Sequence, residues 1–193
     1  QRWAERRSAA LHPSPAGWGS RVIRLAQFTS VTYRVHDPKW SFMPTSGAGA
    51  GEHGGRLNRV GLPALYLALD EATAIAEYKQ LSALMPPGLI VSYELEVTDL
   101  VDFRQGFSSA WDPLWQELYC DWRRIWFNQR VEPPSWLIGD AILETGGKGA
   151  LFPSQAKPEG TNLVLFTEAL TDTDRLVAYD PHGQLPRDSS SWI

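Results

Sequence analysis

From Leu89 to Val97 the chain alternates with a period of two. Leu89, Val91, Tyr93, Leu95 and Val97 fall on one side, and Ser92, Glu94 and Glu96 on the other, with Ile90 as the exception. A segment of this kind buries one face and wets the other, so it reads as a half-exposed strand. Val31–His36, Leu65–Leu69, Leu163–Thr167 and Arg175–Tyr179 read as further strands from their β-branched and apolar content. Helical patterns are confined to the middle of the chain and do not alternate regularly with strands. An α+β fold is therefore expected rather than a doubly wound sheet. A length of 193 residues suits one domain. We expect it over residues 25–193, after an N-terminal arm over residues 1–24 in which Pro13, Pro15, Gly17 and Gly19 break any periodicity.

Two helices dominate the expected middle. Asp70 is a natural N-cap, and behind it Ala74, Ile75, Tyr78, Leu81 and Met85 share a face until Pro86-Pro87-Gly88. Asp112-Pro113 starts the second, on which Trp111, Trp115, Leu118, Trp122, Ile125 and Trp126 fit a stripe roughly 100° wide. Five of the nine tryptophans lie between Trp111 and Trp136, and this stripe assigns four of them to packing. A shorter helix is expected from Trp136 to Glu144. The stretch Gly47–Gly55 is too glycine-rich for a helix or central strand and reads as a mobile or ligand-wrapping loop. It lacks the Gly-Lys-Ser/Thr ending of a phosphate loop.

Composition removes several function classes. Lys and Arg number 18 against 22 Asp and Glu, a net charge of −4, which is unsuited to direct nucleic-acid binding. The basic cluster of Arg2, Arg6, Arg7, Arg21 and Arg24 reads as a solvated arm. The single cysteine, Cys120, can form neither an internal disulfide nor a multi-cysteine zinc site, and a reducing cytoplasm fits. Four dispersed histidines have no metal-ligand spacing, so no metal is expected. No apolar run reaches 18 residues, which argues against a membrane span, and the arginine-containing start is unlike a signal peptide. The first residue is Gln1, so a longer natural N-terminus is expected.

Taken singly, Glu77 on the shoulder of its helix, Arg34 on an apolar strand and Arg56 after a double glycine are each explained by solvent exposure or structure. A strand arginine in a β-rich core nonetheless needs an anionic partner, either a carboxylate or a ligand phosphate. Ser154 lacks the Gly-x-Ser-x-Gly elbow of a hydrolase nucleophile.

An ordered pattern gathers these residues. Tyr33-Arg34, then Gly54-Gly55-Arg56-Leu57-Asn58, Pro63-Ala64-Leu65-Tyr66-Leu67-Ala68 and Ala74-x-x-Glu77 are followed by Phe152-Pro153-Ser154 and Gly160-Thr161-Asn162-Leu163-Val164. Over roughly residues 30–170 this pattern resembles the RES-domain family, named for an Arg, a Glu and a Ser that match Arg34, Glu77 and Ser154. Leu57 departs from the aromatic residue expected after Gly-Gly-Arg, which puts the lining of that loop in question.

The resemblance implies an ADP-ribosyltransferase-like domain, with a split, mixed β core and surrounding helices around an NAD-binding cleft. It implies the toxin of a bacterial toxin–antitoxin pair, cytoplasmic, with NAD as substrate and no prosthetic group. Such a toxin breaks the nicotinamide–ribose bond, either destroying NAD by phosphorolysis or hydrolysis or passing ADP-ribose to a protein. Glu77 is then expected to stabilise the ribose cation, and Arg34 and Arg56 to bind the pyrophosphate or an attacking phosphate. Ser154 would orient the ribose or a catalytic side chain, Tyr66 and less securely Tyr33 would stack on nicotinamide, and Asn162 would join the NAD contacts. Gly47–Gly55 becomes the lip of the cleft. The implied partner is an Xre-like antitoxin that plugs the cleft and carries any DNA contact, and a homodimer within that complex is compatible with it. The rival reading is a non-catalytic module that uses the cleft or the Trp-rich helix to hold a partner.

Overall fold

The fold is described from a computed structural model, over residues 24–80 and 82–190. The arm expected over residues 1–24 therefore lies, apart from Arg24, outside the described residues. Eight strands form one mixed sheet: β1 (Arg24–Leu25), β2 (Phe28–His36), β3 (Ala64–Ala68), β4 (Leu89–Val97), β5 (Leu100–Asp102), β6 (Gly149–Pro153), β7 (Thr161–Phe166) and β8 (Arg175–Ala178). Their order is β1-β5-β6-β7-β3-β2-β4-β8, and only β5 and β6 run parallel. Three α-helices accompany them, α1 (Ala48–His53), α2 (Glu71–Lys79) and α3 (Ser135–Glu144).

From Val91 onward β4 behaves as its alternation requires, whereas Leu89 at its start is exposed. Val91, Tyr93, Leu95 and Val97 are buried while Glu94 and Glu96 face water. In β7 every residue from Asn162 to Phe166 is buried, because this strand is covered on both faces. Leu163 and Leu165 join one core with Tyr93, Leu95 and Leu151, whereas Val164 and Phe166 join another with Phe103, Trp115, Ile138 and Phe152. A strand between two cores has no polar side, which is why it reads as a continuous apolar run.

The sheet is continuous but unevenly stitched. β2 pairs with β4 along its whole length, from Phe28 opposite Val97 to His36 opposite Leu89. β3 pairs with β7 over five positions, yet β2 and β3 share the single pair Tyr33–Ala68. Beyond that pair the two strands part.

Three expectations need correction. The Trp-bearing segment is not one α-helix. It is a 3-10 helix over Pro113–Tyr119, an extended residue at Cys120 (ψ 155°) and a π-helical turn over Arg124–Asn128. The apolar assignment still holds for Trp111, Trp115, Leu118 and Trp122, which are buried, while Trp126 is half-buried. Phe103 sets the geometry, with its ring 4.8 Å from both Trp111 and Trp115, so tertiary packing rather than helical periodicity places these rings. Second, Gly47–Gly55 contains a helix, α1. Gly47 O accepts hydrogen bonds from Gly51 N (3.0 Å) and Ala64 N (3.2 Å), which docks the turn on the start of β3. A Cβ on Gly51 would stand 3.1 Å from Pro63 Cα, so the glycine is there for close approach rather than for mobility. Third, α2 ends at Lys79, before the proline pair, because Gln80 takes a left-handed conformation (φ 51°) while its N–H closes on Ala76 O.

Candidate active site

Where β2 and β3 part, a cavity of about 440 Å³ opens. Its walls include Tyr33 and Arg34 from β2, Tyr66 from β3, Glu77 from α2, Arg56 from the Gly-Gly-Arg turn and Asn162 from β7. Six of the seven residues singled out in the sequence thus converge on one space. The seventh, Ser154, does not line it but holds a residue that does.

Glu77 is presented by a well-capped helix. Asp70 accepts from Thr73 N (2.8 Å) and from the Thr73 hydroxyl (2.7 Å), fixing the first turn, and Glu77 lies on the side of α2 that faces the cavity. Ser154 Oγ donates to Glu77 Oε1 at 2.6 Å and Asn162 Nδ2 donates to the same oxygen at 2.5 Å. Oε2 receives no hydrogen bond among the described residues. The Ser154 hydroxyl is itself oriented, accepting from Ala156 N and Lys157 N at 3.1 Å each. Asn162 Oδ1 is buried without a partner. Glu77 therefore has one oxygen clamped and one available to whatever enters.

Arg34 fills the gap between the strands. Its Nη1 donates to Tyr66 O at 2.9 Å, and its Nε is buried without a partner. Burial lowers its pKa from the usual arginine value, with no carboxylate nearby to offset it. An arginine so placed has spare donors and an uncompensated charge, the condition that a bound oxyanion relieves.

Tyr66 has two tasks. Its ring lines the cavity, and its hydroxyl organises the neighbouring turn by donating to Asn58 Oδ1 (2.8 Å) and accepting from Leu57 N (2.9 Å). Asn58, fully buried, spends its amide on Ala50 O (2.8 Å) and Leu62 O (2.9 Å). Burial pushes the Tyr66 hydroxyl up to about 12, so it stays neutral. A Cβ on Gly55 would meet Asn58 Oδ1 and the Tyr66 hydroxyl at under 3 Å, which explains the second glycine of the pair. Leu57 is fully buried in the core beneath the turn, so its departure from an aromatic affects packing and not the cavity wall. Tyr33, paired with Ala68, stands half-buried beside Glu71.

Sequence reasoning missed Trp122 and Arg123, which also line the cavity. On a continuous α-helix Arg123 would lie opposite the buried stripe that carries Trp122. The extended residue at Cys120 removes that constraint and lets both reach the same space. Among the described residues no group of His, Cys, Asp and Glu could hold a metal ion, and no helix is long and apolar enough to cross a membrane. Glu77 is the one carboxylate among the lining residues, against the cations Arg34, Arg56 and Arg123.

The family model of the RES domain matches residues 31–188. The chain belongs to the RES-domain family. Among solved structures, a chain of the crystal structure of the M. tuberculosis MbcT–MbcA toxin–antitoxin complex is similar to this RES domain, with 21% identity and a TM-score of 0.53. The match covers 81% of this chain and 85% of that one, and it shows a shared mixed α/β fold. No curated protein matches. The RES domain's motif residues thus lie around one cavity at the seam of its sheet.

Proposed function

We propose that this RES domain is the toxin of a toxin–antitoxin pair, that NAD occupies the cavity, and that the reaction breaks the bond between nicotinamide and its ribose. The observation that carries this reading is Glu77, fixed through Oε1 by Ser154 and Asn162, in the wall of a cavity whose other charged lining residues are Arg34, Arg56 and Arg123. Cleavage of that bond builds positive charge on the ribose as neutral nicotinamide leaves, as in glycoside hydrolysis. A preoriented carboxylate lowers the cost of that charge, and the arginines hold the phosphates of the dinucleotide or an attacking phosphate through forked hydrogen bonds. Tyr66, neutral and with its hydroxyl already engaged, offers only its ring, which suits stacking on nicotinamide. The acceptor of ADP-ribose is phosphate, water or a protein.

A cytoplasmic NAD-consuming enzyme needs restraint. The similar fold was solved within a toxin–antitoxin complex, which supports an antitoxin partner here. An Xre-like antitoxin that places an acidic group against the arginines would block the cavity, and a homodimer within such a complex is compatible with this arrangement.

The test is NAD consumption by purified, antitoxin-free protein, with and without phosphate and with a cell lysate. Nicotinamide release that depends on phosphate identifies phosphorolysis, and labelled protein identifies transfer. Glu77→Gln is expected to lower the rate by roughly 100- to 1,000-fold, the usual effect of losing one electrostatic group at a developing charge. Absence of NAD turnover by the folded wild type, or a Glu77→Gln variant as active as wild type, would overturn the catalytic reading in favour of a binding module.

A further inference from the structure

Three arginines line the cavity, and none of them forms an ion pair among the described residues. They are not grouped together. Arg34 sits between Tyr66 and Tyr93 on the strand side, whereas the charges that act on Arg123 are first Arg56 and then Glu77. Arg56 is anchored entirely by neutral acceptors, with Nη1 donating to Leu118 O (2.9 Å) and Cys120 O (3.4 Å), and Nη2 to Gln155 Oε1 (3.2 Å). Its position is fixed while its charge is left uncancelled.

The Arg123 guanidinium has no hydrogen bond to any described residue. It lies over the Trp122 ring, 4.6 Å from the centroid. Asp121, the carboxylate nearest in sequence, accepts from Arg124 N at 3.2 Å and acts on Arg123 only through its charge. Partial desolvation lowers the Arg123 pKa and the like charge of Arg56 lowers it further, with Glu77 and Asp121 offsetting part of the effect. Two guanidiniums on one wall repel each other, and the Trp122 ring beneath Arg123 carries no charge to offset that repulsion.

The framework around the pair is rigid. Arg56 ties the Gly-Gly-Arg turn to the Trp-bearing segment, Ser135 Oγ donates to Arg56 O (2.6 Å), and Trp136 Nε1 donates to Gly55 O (2.7 Å). Arg123 leads into the π-helical turn Arg124–Asn128, a wide turn of the kind found at functional sites. One anchored guanidinium, with an unbonded second one near it on the same wall, leaves spare forked donors of the kind that phosphate oxygens accept.

We propose that Arg56 and Arg123 together form a seat for a phosphoryl oxyanion, separate from Arg34, and that Arg123 is a substrate-recognition residue. This rests on the reading of the cavity as an NAD site. The oxyanion is either a phosphate of the dinucleotide or free phosphate, and the two sources separate kinetically.

Initial rates of NAD consumption are measured over a grid of NAD and phosphate concentrations for wild type, Arg123→Ala and Arg123→Lys, with thermal melting as the check on folding. A hydrogen bond to a charged group is worth about 1.5–3 kcal/mol, so Arg123→Ala is expected to raise one KM by roughly 10- to 100-fold. Arg123→Lys, which keeps the charge but not the fork, recovers only part of it. A rise confined to the KM for NAD identifies the dinucleotide as the source, and a rise confined to the KM for phosphate identifies free phosphate. Both KM values unchanged in a folded Arg123→Ala variant overturn the seat. Wild type without NAD turnover refutes the function proposed above and leaves the seat to a direct test. Inorganic phosphate or pyrophosphate should then raise the melting temperature of wild type more than that of Arg123→Ala, and equal shifts overturn it.

Discussion

Ser154→Ala removes one of the two donors that clamp Glu77 Oε1. The lost bond is 2.6 Å long and reaches a carboxylate, so it belongs to the stronger class, worth about 1.5–3 kcal/mol. Asn162 Nδ2, at 2.5 Å, stays in place and keeps Glu77 in the cavity, but a single donor leaves the carboxylate free to swing about its terminal torsion. Ser154 does not line the cavity, so the loss should fall on the chemical step. We expect kcat for NAD consumption to drop roughly 10- to 100-fold while the KM for NAD stays within about threefold. The variant also deprives Ala156 N and Lys157 N of their acceptor, but Ala156 is exposed and Lys157 half-buried, so water replaces most of that loss and the melting temperature should fall only slightly. A double-mutant cycle with Asn162→Ala sharpens the test, because two donors on one oxygen should be non-additive. A Ser154→Ala variant with kcat within twofold of wild type would refute the clamp, as would a loss seen only in KM.

Two further predictions concern stability and need no assumption about NAD. His36 is buried, 2.5 Å from the Tyr93 hydroxyl, and burial holds its pKa at about 4 against the usual 6.5. The unfolded chain therefore takes up a proton first as pH falls, and stability should decline by about 1.4 kcal/mol per pH unit between pH 6.5 and 4, roughly 3 kcal/mol in all. Urea unfolding over that range should show this slope in wild type and lose it in His36→Gln; equal slopes would refute it. Lys148 Nζ meets Asp174 Oδ2 at 2.7 Å with side-chain exposures of 9% and 1%, and Lys148→Met should cost about 3–5 kcal/mol by stranding a buried carboxylate. Pairing it with Asp174→Leu should recover much of the loss in thermal or urea unfolding, and a double variant no more stable than the single would count against that cause.

The legibility of the chain followed where local chemistry and tertiary context agree. Val91 to Val97 alternated because the edge half of the sheet is covered on one side only, and Asp70 announced its helix because an N-cap is a local bond. β1 and β5, two and three residues long, are too short to carry a period and went unseen. The tryptophan segment misled for the opposite reason. Its rings obey a helical spacing, but their positions are dictated by Phe103, and the backbone between them extends at Cys120, where the carbonyls of Leu118 and Cys120 turn to Arg56. No window of residues contains that bond, since its ends lie 62 and 64 positions apart. The motif residues were recognisable from their order along the chain. That Ser154 acts through Glu77, and that Arg123 joins Arg56, required the three-dimensional arrangement.

The lone pair between β2 and β3 has a mechanical meaning. Elsewhere in the sheet, neighbouring strands resist a change of angle through rows of backbone bonds that no substitution can remove. At this junction the resistance comes from Tyr33–Ala68 and from a side chain, Arg34 reaching Tyr66 O, and α2 packs across both strands. Stiffness between the two halves of the molecule is therefore written in replaceable side chains. A single codon can loosen or tighten the jaws while every ladder on either side stays intact, and because Glu77 sits on the helix that straddles them, the setting of the jaws and the placement of the carboxylate are tuned together.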